Sequence, residues 1–593
     1  MVGQKNEKGN PLGYLFAKTW QYSAGNRKSV ALYWALFVVA MSLTLFFQPL
    51  LGKKVMDIIQ VQGITHESLK TLWGILFLVV CIKFVFWVFH GPARVLETVN
   101  AFRVRGNYRK HLLQGIMNLP MDWHVAHHSG ETIDKVEKGA SALYQFSQES
   151  FQIVYAIVQF VGSFFMLSYF SPSSIPIVLG MMCISVWITL RFDRVMIPQY
   201  RALSKAENMI SENVFDSISN IPTVIILRVE RLIFMAISHR IDKPADLFKR
   251  NSKLNEVKWF MTTMCTSVMT MLVLGVYFWQ HLNVSKTILI GTVYILTRYL
   301  DEMSETFFRF TSMYSDIVKQ KARLENGEEV ALDFREECLS NHVLPDDWQL
   351  IEVRDLNFSY DTVGSDLHLT DVNLSIKRGE RIALVGATGS GKTSFLKIVR
   401  CLYQPQRLKL LVDGKEIVDG FGGISSAIAL VPQNPDIFGT SIGDNITLGA
   451  EYDQETVLHF TEMACFTSVL RKLPKGFDSA INERGVNLSG GENQRLALAR
   501  GLLASKDKSI VLLDEPTSSL DTATEMTVYD NIFSAFPDKT IISSIHRLHL
   551  LSKFDQIHFF EDGRIIASGT LEELLTRCPQ FQQLWMQYRQ DQK

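Results

Sequence analysis

The sequence predicts a multidomain membrane protein, in which an all-α domain of six transmembrane helices precedes an α/β domain. Apolar residues make up 47% of the 593 residues and charged residues 20%, which lies between soluble and membrane averages. Six apolar stretches of spanning length occur before residue 310. Residues 1–325 hold 34 Lys and Arg against 22 Asp and Glu, whereas residues 326–593 hold 26 against 38. Two unlike parts are therefore joined in one chain.

The six apolar stretches each approach the ~20 residues that a helix needs to cross the hydrocarbon core of a bilayer. They are residues 29–50, 71–91, 149–170, 173–191, 258–280 and 284–304. The first begins too far into the chain, and has too many stretches after it, for a cleaved signal peptide. We therefore predict a transmembrane domain over residues 1–325.

The segments that connect these stretches differ strongly in basic residues. Segments 91–148 and 191–258 hold seven and twelve Lys and Arg, while the three opposite loops together hold four. By the positive-inside rule, the long segments and the N-terminus face the cytoplasm. This distribution explains the basic excess without a nucleic-acid partner. We expect a multi-pass protein of the plasma membrane, a bacterial inner membrane, with the α/β domain in the cytoplasm.

Both long segments have the polar, periodic pattern of helices that continue beyond the bilayer. About 20 extra helical residues would extend roughly 30 Å into the cytoplasm. Pro120 and Gly130 break the first segment, and Asn220 to Pro222 break the second, so each pair of helices should turn there.

Ionisable residues within the apolar stretches are candidates for a substrate cavity. Lys83 lies in the second stretch and either faces a water-filled cavity or extends its ammonium towards the interface. In the sixth, Arg298, Glu302, Glu305 and Arg309 share one helical face by their spacing. Lys83, Arg298 and Glu302 are our candidates for the lining of the cavity.

An acidic, irregular stretch at residues 326–348 is predicted to be a linker, and residues 349–593 form the α/β domain. Two strands are expected, at residues 351–360 and 381–385. The second strand runs directly into the sequence Gly386, Ala387, Thr388, Gly389, Ser390, Gly391, Lys392 and Thr393.

This octapeptide fits the phosphate-binding pattern G-x-x-x-x-G-K-[ST], with a strand before it and an amphipathic helix, residues 394–402, after it. Glycines let backbone N–H groups surround phosphate oxygens, and the helix N-terminus adds positive potential. Lys392 would reach the outer phosphates, and the hydroxyl of Thr393 would bind Mg²⁺. The pattern therefore predicts binding of a nucleoside triphosphate.

A second predicted buried strand ends in two acidic residues. Ile510 to Leu513 precede Asp514 and Glu515. We expect Asp514 to hold Mg²⁺ and Glu515 to act as general base towards the attacking water.

A second helix start with anion-binding character lies between these motifs, where Ser489, Gly490, Gly491 and Glu492 precede a Leu- and Ala-rich helix at residues 493–504. Ser489 is a suitable N-cap, and the glycines allow close approach of a phosphate. One chain thus has two such helix starts but one lysine loop. The simplest explanation is ATP held between two copies.

These motifs resemble those of the ATP-binding cassette exporters, in which a half-transporter fuses six spans to one nucleotide-binding domain. The resemblance covers nearly the whole chain. In order, the matching elements are an adenine-stacking Tyr360, the Walker A loop 386–393, the Q-loop Gln433, the signature 488–492, the Walker B Asp514 with Glu515, the D-loop 518–521 and the switch His546.

The resemblance implies roles for residues that the motifs alone leave open. Gln433 would contact Mg²⁺ and the attacking water, His546 the γ-phosphate, and Asp521 the partner subunit. Residues 483–485 resemble the X-loop, and coupling helices that dock on the nucleotide-binding domain would lie near residues 122–128 and 212–218. The signature departs from the family by ending in Glu492 instead of Gln. We expect no N-terminal protease domain, which argues against a peptide-processing exporter.

The function implied is ATP-driven export of amphipathic, lipid-like or drug-like compounds by alternating access. The complete set of ATP-site residues favours a homodimer, although a heterodimer with a degenerate second chain stays open. An ATP-gated channel or membrane regulator is the alternative, and the intact Glu515 disfavours it.

Overall fold

The computed structural model of the chain describes residues 10–127, 129–282, 288–334, 344–360, 367–433, 436–481 and 488–591. These residues form two compact units. One comprises the described parts of Met1–Met117 and His128–Phe334, and the other those of Asn118–His127 and Arg335–Lys593. The cysteines in the described ranges are free thiols.

The first unit is helical throughout its described residues. Its helices are α1 (Pro11–Tyr22), α2 (Arg27–Gln62), α3 (His66–Met117), α5 (Ser129–Gln148), α6 (Ser150–Phe170), α7 (Ser174–Ser219), α8 (Ile221–Ile226), α9 (Glu230–Asp242), α10 (Ala245–Leu282) and α11 (Ile290–Glu329), while the short α4 (Met121–Ala126) belongs to the second unit. The helices pack around buried apolar residues such as Leu45, Val273 and Tyr299. The hydroxyl of Tyr299 donates to the carbonyl of Leu45 at 3.2 Å, which satisfies a polar group inside this core.

Five stretches within the described residues are long and apolar enough to cross a membrane. They are Arg27–Gln62, His66–Met117, Ser129–Phe170, Ser174–Ser219 and Glu230–Leu282. The sixth predicted span, 284–304, overlaps α11, which is 40 residues long but carries charged residues from Arg298 to Glu305. The crossing of the membrane by α11 therefore stays a prediction.

The turns at the ends of the long helices agree only in part with the sequence. Helix α4 (Met121–Ala126) covers residues 122–126 of the first predicted coupling segment; His127 is its C-cap, and residue 128 lies outside the described residues. The second prediction was wrong, because residues 212–218 still belong to α7 and the short helix at this end is α8. The chain does not turn until Asn220. Pro222 is tolerated in the first turn of α8, but a proline inside α7 would interrupt that helix.

The predicted linker was also wrong over residues 326–333. Helix α11 continues to Glu329, and a 3₁₀ turn follows to Asp333. Glu328 is fixed there by Tyr14, whose hydroxyl donates to its carboxylate at 2.8 Å, and by the ammonium of Lys18 at 2.6 Å. These contacts with α1 hold the acidic stretch in a helix.

The second unit has two sheets and a set of helices. Its strands are β1 (Leu350–Phe358), β2 (Leu369–Lys377), β3 (Arg381–Val385), β4 (Arg407–Val412), β5 (Lys415–Glu416), β6 (Ile428–Val431), β7 (Ile510–Asp514), β8 (Thr540–Ser544), β9 (Gln556–Glu561) and β10 (Arg564–Gly569). Its helices after α4 are α12 (Lys392–Val399), α13 (Ile442–Thr447), α14 (Gln454–Met463), α15 (Thr467–Leu470), α16 (Gly490–Ala504), α17 (Thr522–Ala535), α18 (Leu571–Arg577) and α19 (Pro579–Asp591).

The larger sheet positions the functional residues. Its order is β10-β9-β3-β8-β7-β6, with every pair parallel except β9 and β10. Strands β7 and β8 are buried along their whole length, as expected for parallel strands covered on both faces. The smaller, antiparallel sheet has the order β2-β1-β4-β5. In a parallel sheet, ligands bind beyond the carboxyl ends of the strands, and the predicted motifs follow β3, β6, β7 and β8.

Candidate functional site

The phosphate-binding loop begins where β3 ends and closes at the start of α12. Gly386, Gly389 and Gly391 have φ angles of 155°, 83° and 105°, which favour glycine. A Cβ at Gly386 would lie 2.2 Å from the backbone oxygen of Phe560. The loop therefore needs glycine for its close approach to β9 as well as for its conformation.

Lys392 lies buried inside this loop. Its ammonium donates to the carbonyls of Gly386 at 2.8 Å and Ala387 at 3.0 Å. Burial lowers the pKa of Lys392, while the carboxylates of Glu515 and Asp514 oppose that shift. The loop oxygens thus hold the side chain at the place where a phosphate would arrive.

The carboxylate of Asp514 lies among hydroxyl oxygens of neighbouring residues. The hydroxyls of Thr393 and Ser544 donate to its Oδ1 at 3.0 Å and 2.8 Å. Hydroxyl and carboxylate oxygens are the ligands that Mg²⁺ takes alongside phosphates. The residues present therefore fit a Mg²⁺ site at Thr393 and Asp514.

Glu515 follows directly and points its carboxylate at two other predicted site residues. The side-chain amide of Gln433 donates to its Oε2 at 2.6 Å, and Nε2 of His546 lies 3.0 Å from its Oε1. The backbone N–H of Glu515 donates to the hydroxyl of Ser544 at 2.9 Å. Two side chains and a backbone bond thus orient a carboxylate that can accept a proton.

Most of these site residues line one cavity of about 520 Å³, although Gly386 and Asp514 are not among its described lining. Its lining includes the loop from Thr388 to Thr393 together with Gln433, Glu515 and His546. Ser489 to Glu492 are not among the described residues that line it. The structure therefore brings together the lysine loop, the Q-loop and the switch histidine, but not the signature, around one cavity of the chain.

The signature turn is built as an N-cap. The hydroxyl of Ser489 accepts from the backbone N–H of Glu492, and the backbone N–H of Ser489 donates to the Glu492 carboxylate at 2.8 Å. The hydroxyl of Ser489 also lies 2.9 Å from the same carboxylate. These hydrogen bonds from Ser489 lower the pKa of Glu492. The acid that replaces the usual Gln thus completes a capping box.

The remaining predicted residues have identifiable local contacts. The carboxylate of Asp521 accepts from the backbone N–H of Thr524 at 2.9 Å and caps α17. The ring of Tyr360 meets those of His368 and Tyr403 edge to face, with centroids 5.0 Å apart in both pairs. Neither arrangement tests the expected roles at a dimer interface or an adenine. The proposed X-loop, residues 483–485, lies outside the described residues.

Sequence reasoning missed two residues that organise the site. Ser544 pairs with Asp514 across β7 and β8, and its position two residues before His546 was the available signal. Gln494 joins α16 to the D-loop, since its amide nitrogen donates to the hydroxyl of Ser518 at 2.9 Å and its oxygen accepts from the N–H of Ser519 at 2.9 Å. No sequence pattern indicated that link.

A second cavity, of about 400 Å³, lies in the first unit and contains all three candidate cavity residues. Lys83, Arg298 and Glu302 line it together with side chains of α2 and α6. Nε of Arg298 pairs with the Glu302 carboxylate at 3.1 Å, as the helical spacing predicted.

Comparisons with known proteins agree with both units. The family model "ABC transporter transmembrane region" matches residues 31–300, and the model "ABC transporter" matches residues 369–518. The β-(1→2)glucan export ATP-binding/permease protein NdvA of Agrobacterium vitis is 28% identical over 589 residues, with 96% of each chain covered. The protein of that name from Rhizobium etli is 28% identical over 585 residues, with 94% of each covered.

A solved structure of a bacterial Atm1-family ABC exporter with ATP bound is similar in fold. Its TM-score is 0.81, and the match covers 95% of this chain and 98% of that one. Because the sequences are 21% identical, this likeness concerns the fold alone.

Proposed function

Because the chain belongs to the ABC transporter family and is an ATP-hydrolysing exporter, we propose that two copies bind MgATP between them and use its hydrolysis to move a polar or amphipathic compound out of the cytoplasm. The transporter would lie in a bacterial inner membrane, with its nucleotide-binding domains in the cytoplasm. The basic residues of segments 91–148 and 191–258 support that orientation.

One observation carries the proposed assembly. The ATP cavity of a single chain contains the lysine loop, Glu515 and His546, while the signature turn, Ser489 to Glu492, is absent from its described lining. That turn starts α16 with backbone N–H groups that suit a phosphate. A second copy that supplies its own turn would complete the site, and two identical chains would form two such sites.

The residues of the cavity divide the chemistry of hydrolysis between them. Lys392 and the loop N–H groups bind the phosphates. Thr393, Asp514 and Gln433 would hold Mg²⁺, which neutralises phosphate charge when it is bound. Glu515 accepts a proton from water as the water oxygen attacks the γ-phosphorus and the bond to the leaving β-phosphate oxygen breaks. Gln433 and His546 keep the Glu515 carboxylate oriented for that step.

Coupling to transport follows from a difference in affinity. ATP must bind the closed pair of nucleotide-binding domains more tightly than the open pair, because equal affinities would shift nothing. Closure would pass through the cytoplasmic ends of the long helices and turn the transmembrane cavity outward. Hydrolysis would then weaken the closed pair and return the transporter to its inward-open state.

The substrate is proposed on separate grounds. The sequence favours amphipathic, lipid-like or drug-like compounds, whereas the relatives of matching length are named for glucan export.

Uptake into inside-out vesicles tests transport directly. ATP should drive accumulation of a labelled substrate above its external concentration, and the Glu515→Gln variant should abolish it. ATP-dependent flux that only equalises the two concentrations would support the ATP-gated channel instead.

A further inference from the structure

The transmembrane cavity has a lining that an apolar substrate would not need. It lies among α2, α3, α6 and α11 and contains charged side chains, amides and aromatic rings. Its volume of about 400 Å³ is near the lower end of the range for ligand pockets, about 300–1,000 Å³. The space suits a headgroup or a short oligosaccharide segment more than a whole acylated lipid.

Among the residues that line this cavity, Lys83 has the greatest need of a negatively charged partner. At ~1.5 Å per residue it lies about 18 Å along α3 from Thr71 and about 12 Å from Gly91, near the middle of the predicted span. A cation at that depth costs about 3 kcal/mol to insert. Within the described residues, no carboxylate forms an ion pair with Lys83. An anion from outside the chain would offset that cost.

The other two cations of the cavity already have partners. Arg298 pairs with Glu302 at 3.1 Å. Arg309 donates to Glu305 at 2.7 Å and lies over the ring of Tyr155 at 4.6 Å. These contacts leave Lys83 as the cation of the described lining that is free to bind a ligand.

Two neutral polar groups in the lining are also unsatisfied. Oε1 of Gln159 is buried, with the residue 5% exposed, and has no hydrogen-bond partner among the described residues. Nδ1 of His90 is likewise buried without one, and its ring stacks on Phe86 with centroids 4.7 Å apart. Buried polar atoms normally have partners. Small rotations of these two side chains would turn both atoms towards hydroxyl groups of a ligand in the cavity, and the aromatic rings would pack against the ligand's apolar faces.

We propose that this cavity binds a sugar or polyol that carries a phosphate or carboxylate, with the anion at Lys83 and the hydroxyls at Gln159 and His90. This inference rests on the proposed export function and names its substrate class. The anionic polyol has two possible sources. It is either part of a water-soluble acidic oligosaccharide or the headgroup of an anionic glycerolipid.

ATPase stimulation of the full chain in nanodiscs tests the proposal. The probes are a neutral β-glucan, the same glucan carrying phosphate groups, and nanodiscs of phosphatidylglycerol compared with phosphatidylcholine. The acidic glucan or the phosphatidylglycerol should stimulate more strongly than its neutral counterpart. Lys83→Ala should raise the concentration for half-maximal stimulation by about tenfold or more, as for loss of a charge-assisted hydrogen bond, or abolish the response to lipid. Lys83→Arg should retain it.

Two further variants separate the parts of the inference. Lys70→Ala changes an exposed lysine of the same helix outside the cavity and should have no effect. Gln159→Leu, of similar volume, should weaken stimulation by the neutral and the acidic glucan alike. Stimulation that does not depend on probe charge, a missing response to all probes, or equal stimulation of Lys83→Ala and wild type would overturn the proposal. Absent basal ATPase activity would instead contradict the proposed function.

Discussion

Glu515→Gln is the substitution that most directly tests the assignment of the general base. The variant keeps the shape of the side chain and removes its ability to accept a proton. General bases contribute about 10²- to 10⁴-fold to rate, which corresponds to about 3–5 kcal/mol of barrier. We expect ATP turnover to fall by that factor, measured as phosphate release from the purified transporter.

The structure also predicts what this substitution leaves unchanged. The amide oxygen of glutamine can still accept from Gln433, which lies 2.6 Å from the present carboxylate. Glu515 has a φ angle of 44°, and both residues carry a Cβ, so backbone strain is equal. Lys392 and Thr393 are untouched. ATP affinity, measured by equilibrium binding, should therefore stay within about threefold of wild type.

A matched control distinguishes the loss of a negative charge from the loss of the general base. Glu462→Gln removes an exposed carboxylate on α14 and should hydrolyse ATP at the wild-type rate. If Glu515→Gln retains turnover within twofold of the control, the proton goes to another group and our assignment is wrong. If ATP binding is lost along with turnover, Glu515 has a structural role in place of the catalytic one.

Three other substitutions test separate parts of the site. Glu492→Gln removes a charge from the turn that, in the proposed dimer, meets the partner's nucleotide, and should lower the ATP concentration for half-maximal hydrolysis by about two- to fivefold. Because hydrogen bonds from Ser489 lower the pKa of Glu492, that carboxylate stays ionised throughout the neutral range, so this effect should not vary with pH there; unchanged half-saturation would contradict it. Gly386→Ala places a Cβ 2.2 Å from a backbone oxygen and should weaken ATP binding at least tenfold, whereas Gly414→Ala, at a φ of 77° with open space around it, should bind normally. Gln494→Leu leaves a D-loop N–H without its acceptor and should lower the free energy of unfolding by about 1–3 kcal/mol. An unchanged thermal midpoint would show that the D-loop does not depend on this hydrogen bond.

The sequence alone was sufficient where the local structure depends on a short, contiguous pattern. The strand, loop and helix around Lys392 are contiguous, and their glycines have the left-handed angles that the motif requires. Asp514 ends a strand whose apolar run already indicated burial, and Glu515 follows it directly. The helical spacing of Arg298 and Glu302 also predicted their ion pair.

The features that sequence reasoning missed depend on contacts between distant segments. Ser544 reaches Asp514 because β7 and β8 pair in register, and a single sequence does not state that register. Residues 212–218 are compatible with either a separate coupling helix or a longer α7, and α7 continues through them. Glu328 became helical through its contacts with α1, which outweighed the irregular, acidic composition of that stretch.

In the proposed dimer, each ATP is held by the lysine loop of one subunit and the signature turn of the other. Dimers purified through two different tags, with Glu515→Gln in both subunits to prevent hydrolysis, allow the retained ATP to be counted. If one subunit carries Lys392→Ala and the other Ser489→Arg, one complete site remains and one ATP per dimer should be retained. If both substitutions lie in the same subunit, each site is damaged and none should be. The reverse result, retention only when the two substitutions share a subunit, would show that each chain binds ATP by itself.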